Sequence, residues 1–153
     1  MKKDDFAKQM GRLLKLIRTE YALTQDEMAV VLGISKKTLV ETEKGRRRLG
    51  WTESVALAAL FPQSQILQNT FGGEVEDMLQ AIAFRDMEIH YSSTMGGKVW
   101  WKTVEEKQGF KLQQNIVSHH YRLLNAQDQR ILSSFDKEEV RAALQDELRG
   151  ADD

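Results

Sequence analysis

The fold is decided by residues 23–45, which read LTQDEMAVVLGISKKTLVETEKG. Thr24 is a residue type that favours the position before a helix, and Glu27 three positions later completes the pattern of a capping box. Gly33 suits the left-handed residue that ends a helix, and Ser35 suits the N-cap of the next one. The stretch therefore predicts two short helices that are joined by a tight turn.

The segments on either side of this stretch also have the pattern of helices. Apolar residues recur at spacings of three and four over residues 6–21, and a similar stripe covers residues 52–61. Thr52 is the predicted N-cap of the latter helix, and Pro62 its end. The first stripe consists of Phe6, Met10, Leu13, Leu14, Ile17 and Tyr21, and the second of Val55, Ala56, Ala59 and Leu60. Residues 1–62 are therefore predicted to form an all-α domain.

The helix that follows Ser35 lacks the apolar stripe of a core helix, because its apolar residues are Leu39 and Val40 alone. On one face lie Lys36, Lys37, Val40, Glu41 and Lys44. Such a face must meet solvent or a polar partner. The loop that follows, residues 46–48, is three consecutive arginines, which are suited to grip phosphates. A solvated helix followed by a charged loop is the alternative, and charge alone favours it.

The second half of the chain changes from helical to strand periodicity. Residues 63–73 contain glutamine, asparagine and serine and end in two glycines, which predicts a linker. Apolar spacing predicts a helix from Glu74 to about His90, and residues 99–105 alternate as in a strand. The composition of Gln108-Gly109 favours a hairpin turn.

Three further strands and a final helix complete the predicted order. The strands are predicted over residues 110–117, 120–124 and 130–135, and Asp136 is the expected N-cap of the helix. The predicted fold class is therefore α+β: the all-α domain is followed by a small antiparallel-sheet and helix domain at residues 74–153.

Composition excludes several classes of function. The 153-residue chain has no cysteine, which excludes a disulfide framework, a thiol nucleophile and a thiolate zinc site. No run approaches the roughly 18 apolar residues of a membrane span, and no signal peptide is evident, so a cytoplasmic protein is expected. Residues 1–62 carry 12 basic and 8 acidic residues, a net charge of +4, whereas residues 63–153 have a net charge of −5. This asymmetry indicates a basic N-terminal part and an acidic C-terminal part.

The motif in residues 23–45 resembles the phage repressor and Cro helix-turn-helix family, also called the xenobiotic-response-element family. The resemblance is carried by a Thr-Gln-x-Glu-aliphatic-Ala opening, an aliphatic-Gly-aliphatic-Ser turn and a Glu-x-Gly close, without gaps. These segments are residues 24–29, 32–35 and 43–45. The resemblance covers about residues 6–62 and implies a lambda-repressor-like DNA-binding domain.

The resemblance also implies roles for individual residues. Lys36, Lys37 and Thr38 stand at positions that read bases and adjacent phosphates. Gln25 stands at a position that touches a phosphate or supports a base contact, and the loop cations match phosphate-gripping positions. The predicted DNA-binding set is Thr24, Gln25, Ser35, Lys36, Lys37, Thr38, Glu41, Lys44, Arg46, Arg47 and Arg48.

Two acidic residues of the predicted recognition helix have different implied roles. Glu43 and Arg18 match a partly buried ion pair that pins the first helix to the end of the third, and breaking such a pair costs about 3–5 kcal/mol. Glu41 would repel phosphate, accept a hydrogen bond from a cytosine amino group, or pair with Lys37, and the ion pair is favoured. The family often has glutamine where this chain has Lys36 and Lys37.

Other candidate sites find little support. Adjacent residues on a strand point to opposite faces, so His119 and His120 predict no metal site, and no cofactor is predicted. Of Trp100 and Trp101, one ring is expected to face the core and the other outward, where it either packs within the domain or forms a dimer interface. No arrangement of nucleophile, base and acid is recognisable, so an enzyme is not expected.

The sequence thus predicts a sequence-specific transcriptional regulator, a repressor by resemblance. A single short recognition helix reads about half of a site, so a homodimer on pseudo-palindromic double-stranded DNA is expected. The C-terminal domain would supply dimerisation or sense a partner or effector. The alternative is an antitoxin or adaptor, whose C-terminal domain binds a protein partner.

Overall fold

The computed structural model describes residues 1–88 and 100–152, and the chain divides into two compact units. The N-terminal unit is Met1–Tyr91 and the C-terminal unit is Ser92–Asp153. The first is helical and the second combines a sheet with a helix, which confirms the predicted α+β class. No helix in the described ranges is long and apolar enough to cross a membrane.

The N-terminal unit is built from six helices in its described part. They are α1 (Lys3–Glu20), α2 (Gln25–Leu32), α3 (Lys36–Glu43), α4 (Trp51–Leu60), α5 (Gln65–Phe71) and α6 (Val75–Ala83). The predicted first helix, residues 6–21, begins three residues earlier than expected, because Asp5 accepts a hydrogen bond from the Lys2 N–H and extends the first turn. Its apolar stripe packs the centre of the unit, where Phe6, Met10, Leu14 and Ile17 are fully buried.

The local signals of the central motif form as the sequence predicts. Thr24 caps α2 by accepting the Glu27 N–H, and the Glu27 carboxylate accepts the Thr24 N–H in return. Gly33 ends α2 with a φ of 67°, a conformation that glycine adopts without strain. Ser35 then caps α3 by accepting the Thr38 N–H. Two short helices joined by a tight turn are the result.

The prediction for α4 is wrong in its cap and in its buried face. The helix begins one residue earlier, after Gly50, because the Glu53 carboxylate reaches back and accepts the Gly50 N–H at 3.0 Å. Thr52 therefore lies inside the helix. The buried face is Ser54, Leu57 and Ala58, whereas Ala59 and Leu60 of the predicted stripe are exposed.

The predicted linker over residues 63–73 is also wrong, because most of it is helix α5. Ser64 caps this helix by accepting the Leu67 N–H, and Glu20 at the end of α1 binds the Ser64 hydroxyl and the Gln65 N–H. Leu67 is fully buried in the same core as α1. The segment is therefore part of the N-terminal unit.

Helix α6 belongs to the same core and moves the domain boundary beyond residue 74. Its residues Val75 and Ile82 are buried against that core. The helix ends at Ala83, before the predicted His90, which lies outside the described residues. The acidic excess assigned to residues 63–153 thus falls on residues 63–91, which hold five acidic residues and one basic residue.

The C-terminal unit is a four-stranded antiparallel meander with one helix in its described part. The strands, in the order β1-β2-β3-β4, are β1 (Trp101–Lys107), β2 (Phe110–Asn115), β3 (Tyr121–Leu124) and β4 (Arg130–Ser134), followed by helix α7 (Lys137–Ala151). Gln108 and Gly109 form the predicted hairpin turn, both with positive φ. Asp136 caps α7, which buries Val140 and Leu144 against Leu112 and Leu123 of the sheet.

Two details of the sheet differ from the prediction. His119 and His120 are not paired on a strand, because β3 begins at Tyr121 and His119, directly after a turn at residues 116–118, has a φ of 63°. The register of β1 also shifts between Thr103 and Glu105, so its alternation is interrupted. The predicted first residue of that strand, Val99, lies outside the described residues.

Candidate nucleic-acid interface

Helix α3 is held to the N-terminal unit by one side and leaves the other exposed. Leu39 is fully buried and Thr42 almost so, and the Thr42 hydroxyl donates to the Thr38 carbonyl at 2.8 Å. Lys36 and Lys37 in the first turn are exposed. The helix therefore presents the side chains of its N-terminal end to solvent on a fixed support.

A partly buried polar cluster joins α3 to α1 and α2. Arg18 of α1 pairs with Glu43 at 2.5 Å, and its Nη1 donates to the Leu23 carbonyl at 2.9 Å. Gln25 donates to the same Glu43 carboxylate at 3.0 Å. Burial alone would raise the pKa of Glu43, but the hydrogen bonds from Arg18 and Gln25 outweigh it and lower that pKa below its usual value. Arg18 and Glu43 thus form the pair that the resemblance implies, and Gln25 completes it.

Lys36 has a partner that the sequence did not indicate. Its Nζ lies 2.9 Å from a carboxylate oxygen of Asp26, in the first turn of α2. Both side chains are more than half exposed, so the pair is screened by water and weak. The contact shows that the N-terminal turns of α2 and α3 lie next to each other.

Glu41 pairs with a different cation from the one expected. The predicted partner was Lys37, one turn earlier, whereas the structure places Arg46 Nη1 3.6 Å from the Glu41 carboxylate. The chain reverses after Lys44, because the Arg46 and Arg47 N–H groups both donate to the Glu41 carbonyl. That turn brings the Arg46 side chain back over the end of α3.

The three loop arginines do not have equivalent surroundings. Arg47 donates two hydrogen bonds to the Glu53 carboxylate, at 2.8 and 3.0 Å, and this raises the pKa of Arg47 and lowers that of Glu53. Arg47 therefore ties the loop to α4. Arg48 is exposed and pairs with no carboxylate in the described ranges.

The remaining residues of the predicted set divide between caps and exposed cations. The hydroxyls of Thr24 and Ser35 cap their helices, and Ser35 also donates to the Thr38 hydroxyl at 2.9 Å. Lys37 and Lys44 are exposed and, like Arg48, form no ion pair with another described residue. These three cations are available to an external anion.

The comparisons with known proteins agree with this geometry. Residues 9–66 match the family model of a helix-turn-helix domain. No curated protein and no solved structure matches the chain. The matched segment contains the capped helices α2 and α3, and a helix-turn-helix domain points to a DNA-binding regulator and away from an enzyme.

Sequence reasoning missed several charged residues that lie near the predicted DNA-binding set. Asp26 and Glu53 neutralise two of the predicted DNA-contacting cations, and nothing in their local sequence indicates those partners. Lys8, Arg12 and Lys15 of α1 were also left out of the predicted set. Their spacing of four and three residues was a usable signal, since it places all three on one side of a helix.

A second distinctive surface lies on the C-terminal unit, on the sheet face opposite α7. The Arg122 guanidinium carbon lies 3.8 Å from the centre of the Trp101 ring, and Arg122 Nε donates to Gln113 Oε1 at 2.9 Å. The His120 ring packs edge-on against Trp101 at 4.9 Å, and Phe135 beside it is 79% exposed. Trp101 lies on this open sheet face, which is defined by these five residues. The expectation that one of the two tryptophan rings faces the core is wrong, because Trp100 is 47% exposed and neither ring belongs to the core of the unit.

The described residues offer little chemistry for metal binding or catalysis. They contain no group of three or more metal-ligating side chains. The Ser118 hydroxyl contacts His120 Nδ1, but no described carboxylate is bonded to that histidine. The pair therefore lacks the third group that orients a catalytic base.

Proposed function

We propose that this protein is a phage-repressor-type transcriptional regulator, and that it binds operator DNA through α3 and the loop that follows. The observation that carries the proposal is the contrast on α3. Its inner side is fixed by the Arg18–Glu43 pair, while Lys37 and Lys44 on its outer side lack an ion-pair partner in the described ranges. A helix that presents exposed lysines on a rigid support suits insertion into the major groove.

Within this proposal, the lysines of the first α3 turn read bases. Lys36 and Lys37 can both donate to guanine O6 and N7. Lys36 must first leave Asp26, and because that pair is exposed the exchange costs little. Thr38 is half-buried and its hydroxyl already accepts from Ser35, so it supports the turn more than it reads a base.

The loop cations supply phosphate contacts in the proposal. Lys44 and Arg48 are exposed and without a described ion-pair partner, and Arg46 is held by Glu41 only at 3.6 Å. A phosphate can replace Glu41 as the partner of Arg46 at low cost. Arg47 keeps its two hydrogen bonds to Glu53 and so contributes to the loop's shape more than to binding.

We further propose that two copies bind a pseudo-palindromic site in the cytoplasm and that they associate through the open sheet face. Helix α3 has eight residues and reads about half of an operator, so a second copy is required. Tryptophan and arginine are enriched at the residues that supply most of an interface's energy, and phenylalanine is enriched in interfaces generally. The variant Arg122→Glu is expected to give monomers in sedimentation, and Lys137→Glu on α7, the control, dimers. Dimers of the Arg122 variant would contradict this interface.

An antitoxin or adaptor role is the second candidate, and the same face favours it. Exposed Phe135 beside the Trp101–Arg122 pair would equally suit a different protein. The two candidates differ in what purifies with the full chain. A stoichiometric partner that is lost in the Arg122→Glu variant supports the adaptor role, and a homodimer without a partner supports the regulator.

Selection from random double-stranded DNA tests the principal proposal. The full chain is compared with Lys36→Ala/Lys37→Ala, with Arg46→Ala/Arg48→Ala and with the control Lys102→Ala/Lys137→Ala. We expect a palindromic consensus from the wild type, a relaxed consensus from the double lysine variant, and weaker binding to all sequences with a shallower salt dependence from the arginine variant. The control should match the wild type. Absence of a consensus would refute operator reading.

A further inference from the structure

A basic cleft, which the function proposed above does not use as such, lies between α1 and the loop after α3. It has a volume of about 270 Å³, and Lys8, Gly11, Arg12 and Lys15 of α1 form one wall. The loop residues on the opposite side include Gly45, Arg47, Arg48 and Leu49. Its floor includes the buried Ala7, Thr42 and Leu49.

The charge of this cleft is unbalanced once its internal pairs are counted. Glu43 at one end is neutralised by Arg18, and Arg47 is neutralised by Glu53. The other four cations that line the cleft are exposed and form no ion pair with any described residue: Lys8, Arg12, Lys15 and Arg48. With Arg18 and Glu53 included, the cleft therefore carries a net charge of +4, and Lys15 also interacts electrostatically with Glu43.

This arrangement costs the free protein stability. Lys8 and Arg12 stand four residues apart on α1, and Arg12 and Lys15 three apart, so like charges face each other along the helix. Each such pair destabilises a helix slightly. Repulsion of this kind is relieved when an anion enters the cleft.

The backbone adds space and a donor at the same place. A Cβ built on Gly11 would stand 4.0 Å from the Leu49 amide nitrogen, so the absence of a side chain at Gly11 keeps the cleft open. The Leu49 N–H donates to no acceptor within the described ranges. An amide donor beside guanidinium and ammonium groups is the kind of site that holds phosphate oxygens.

We propose that the cleft is a phosphate site, and that the phosphates are those of a DNA backbone, a source that rests on the proposed function. The α1 cations span about 10 Å along the helix from Lys8 to Lys15, more than one phosphate group requires, which favours a polyanionic strand. Arg48 belongs to the loop after α3 and lines the same cleft as these α1 cations. The protein's contact with DNA thus extends from α3 across α1.

Substitution at Gly11 tests the site without removing any cation. Gly11→Glu places a carboxylate among the four charges, and Gly11→Gln fills the same space without charge; both should fold, because every residue but proline favours a helix interior over glycine. We expect Gly11→Glu to weaken DNA binding by at least about tenfold at low salt and Gly11→Gln to weaken it less. Equal DNA binding by both variants and the wild type would overturn the proposal that the bound phosphates belong to DNA.

Removal of the three α1 cations provides a second test, which measures how many phosphates they contact. The triple variant Lys8→Ala/Arg12→Ala/Lys15→Ala is compared with Lys102→Ala/Arg130→Ala/Lys137→Ala, which loses the same charge from the C-terminal unit. The slope of log K against log salt should become shallower by about 2 for the first, equivalent to two phosphates, and stay unchanged for the control. The selected consensus sequence should stay the same in both variants. An unchanged slope for the α1 variant would contradict the proposal for DNA.

Titration with inorganic pyrophosphate distinguishes the two possible sources of phosphate, a DNA backbone and a free phosphate compound. NMR amide shifts of Gly11, Gly45 and Leu49 are followed as pyrophosphate is added to the wild type and to Gly11→Glu. Suppose that pyrophosphate shifts these amides in the wild type but not in Gly11→Glu, while the α1 variants bind DNA as the wild type does. The cleft would then be assigned to a free phosphate compound. Such shifts would support the site even if operator binding failed altogether. No pyrophosphate shift together with an unchanged DNA slope would overturn the phosphate site, whatever becomes of the operator proposal.

Discussion

The inner and outer sides of helix α3 differ in whether their charged side chains are buried and paired. On the inner side, Glu43 is only 4% exposed and binds both Arg18 and Gln25. On the outer side, Lys37 and Lys44 are exposed and form no ion pair with a described residue. Charges on the inner side set the orientation of the helix, whereas charges on the outer side are left for a partner. Substitutions on the two sides should therefore affect different measurements.

The largest expected effect is on the inner side. Glu43→Ala leaves Arg18 partly buried without its carboxylate, and we expect the free energy of unfolding to fall by about 3–5 kcal/mol in urea titration. The matched control is Glu41→Ala, the half-exposed acid on the same helix, which should cost less than about 1 kcal/mol. Equal losses from both variants would show that the inner pair has no special role.

The same pair predicts a dependence of stability on pH. Because the folded protein lowers the pKa of Glu43 below its usual value of 4.5, the carboxylate stabilises the fold above that value. This stabilisation should be lost as the pH falls from about 4.5 through the folded pKa. Glu43→Gln should show a shallower decline in unfolding free energy over that range. A decline as steep as that of the wild type would assign the acid sensitivity to other carboxylates, Glu53 among them.

For the loop after α3, we expect two adjacent arginines to contribute differently to DNA binding. Arg48→Ala removes a cation with no described ion-pair partner, so the slope of log K against log salt for DNA should become shallower by about 1. Arg47→Ala removes a cation that is already bonded to Glu53, so it should change the slope little and lower stability by at most about 1 kcal/mol. The reverse order of slopes would mean that Arg47 leaves Glu53 when DNA binds.

The extent to which the sequence predicted the fold follows from how local each signal is. Thr24, Gly33 and Ser35 act within three residues of themselves, and the helices that they delimit form where the sequence places them. The start of α4 depends instead on Gly50, a cap without a side chain, and on Glu53 reaching back to it. Ser64 and α5 were assigned to a linker because polar residues dominate, yet Leu67 is fully buried and Ile66 and Phe71 pack against the same core.

The candidate site follows the same rule. The identity of its cations was readable from the motif, because Lys36 to Arg48 are contiguous in the chain. Which of them are neutralised was not readable, since Asp26 and Glu53 meet Lys36 and Arg47 only after the turns have formed. The open sheet face was seen in part, as a tryptophan pair, but the Arg122 that covers Trp101 comes from a strand two along in the meander.

The smallest expected effect concerns the pair that must separate if Lys36 reads a base. Asp26→Asn keeps the shape of the side chain and frees Lys36. Because exposed ion pairs contribute about 0–1 kcal/mol, the affinity for the selected DNA should rise by no more than about fivefold and stability should change little. Asp77→Asn on α6 changes the net charge equally and should leave the affinity unaltered. If Asp26→Asn instead weakens binding or alters the consensus, Asp26 is needed to aim Lys36 at its base, and the pair persists in the complex.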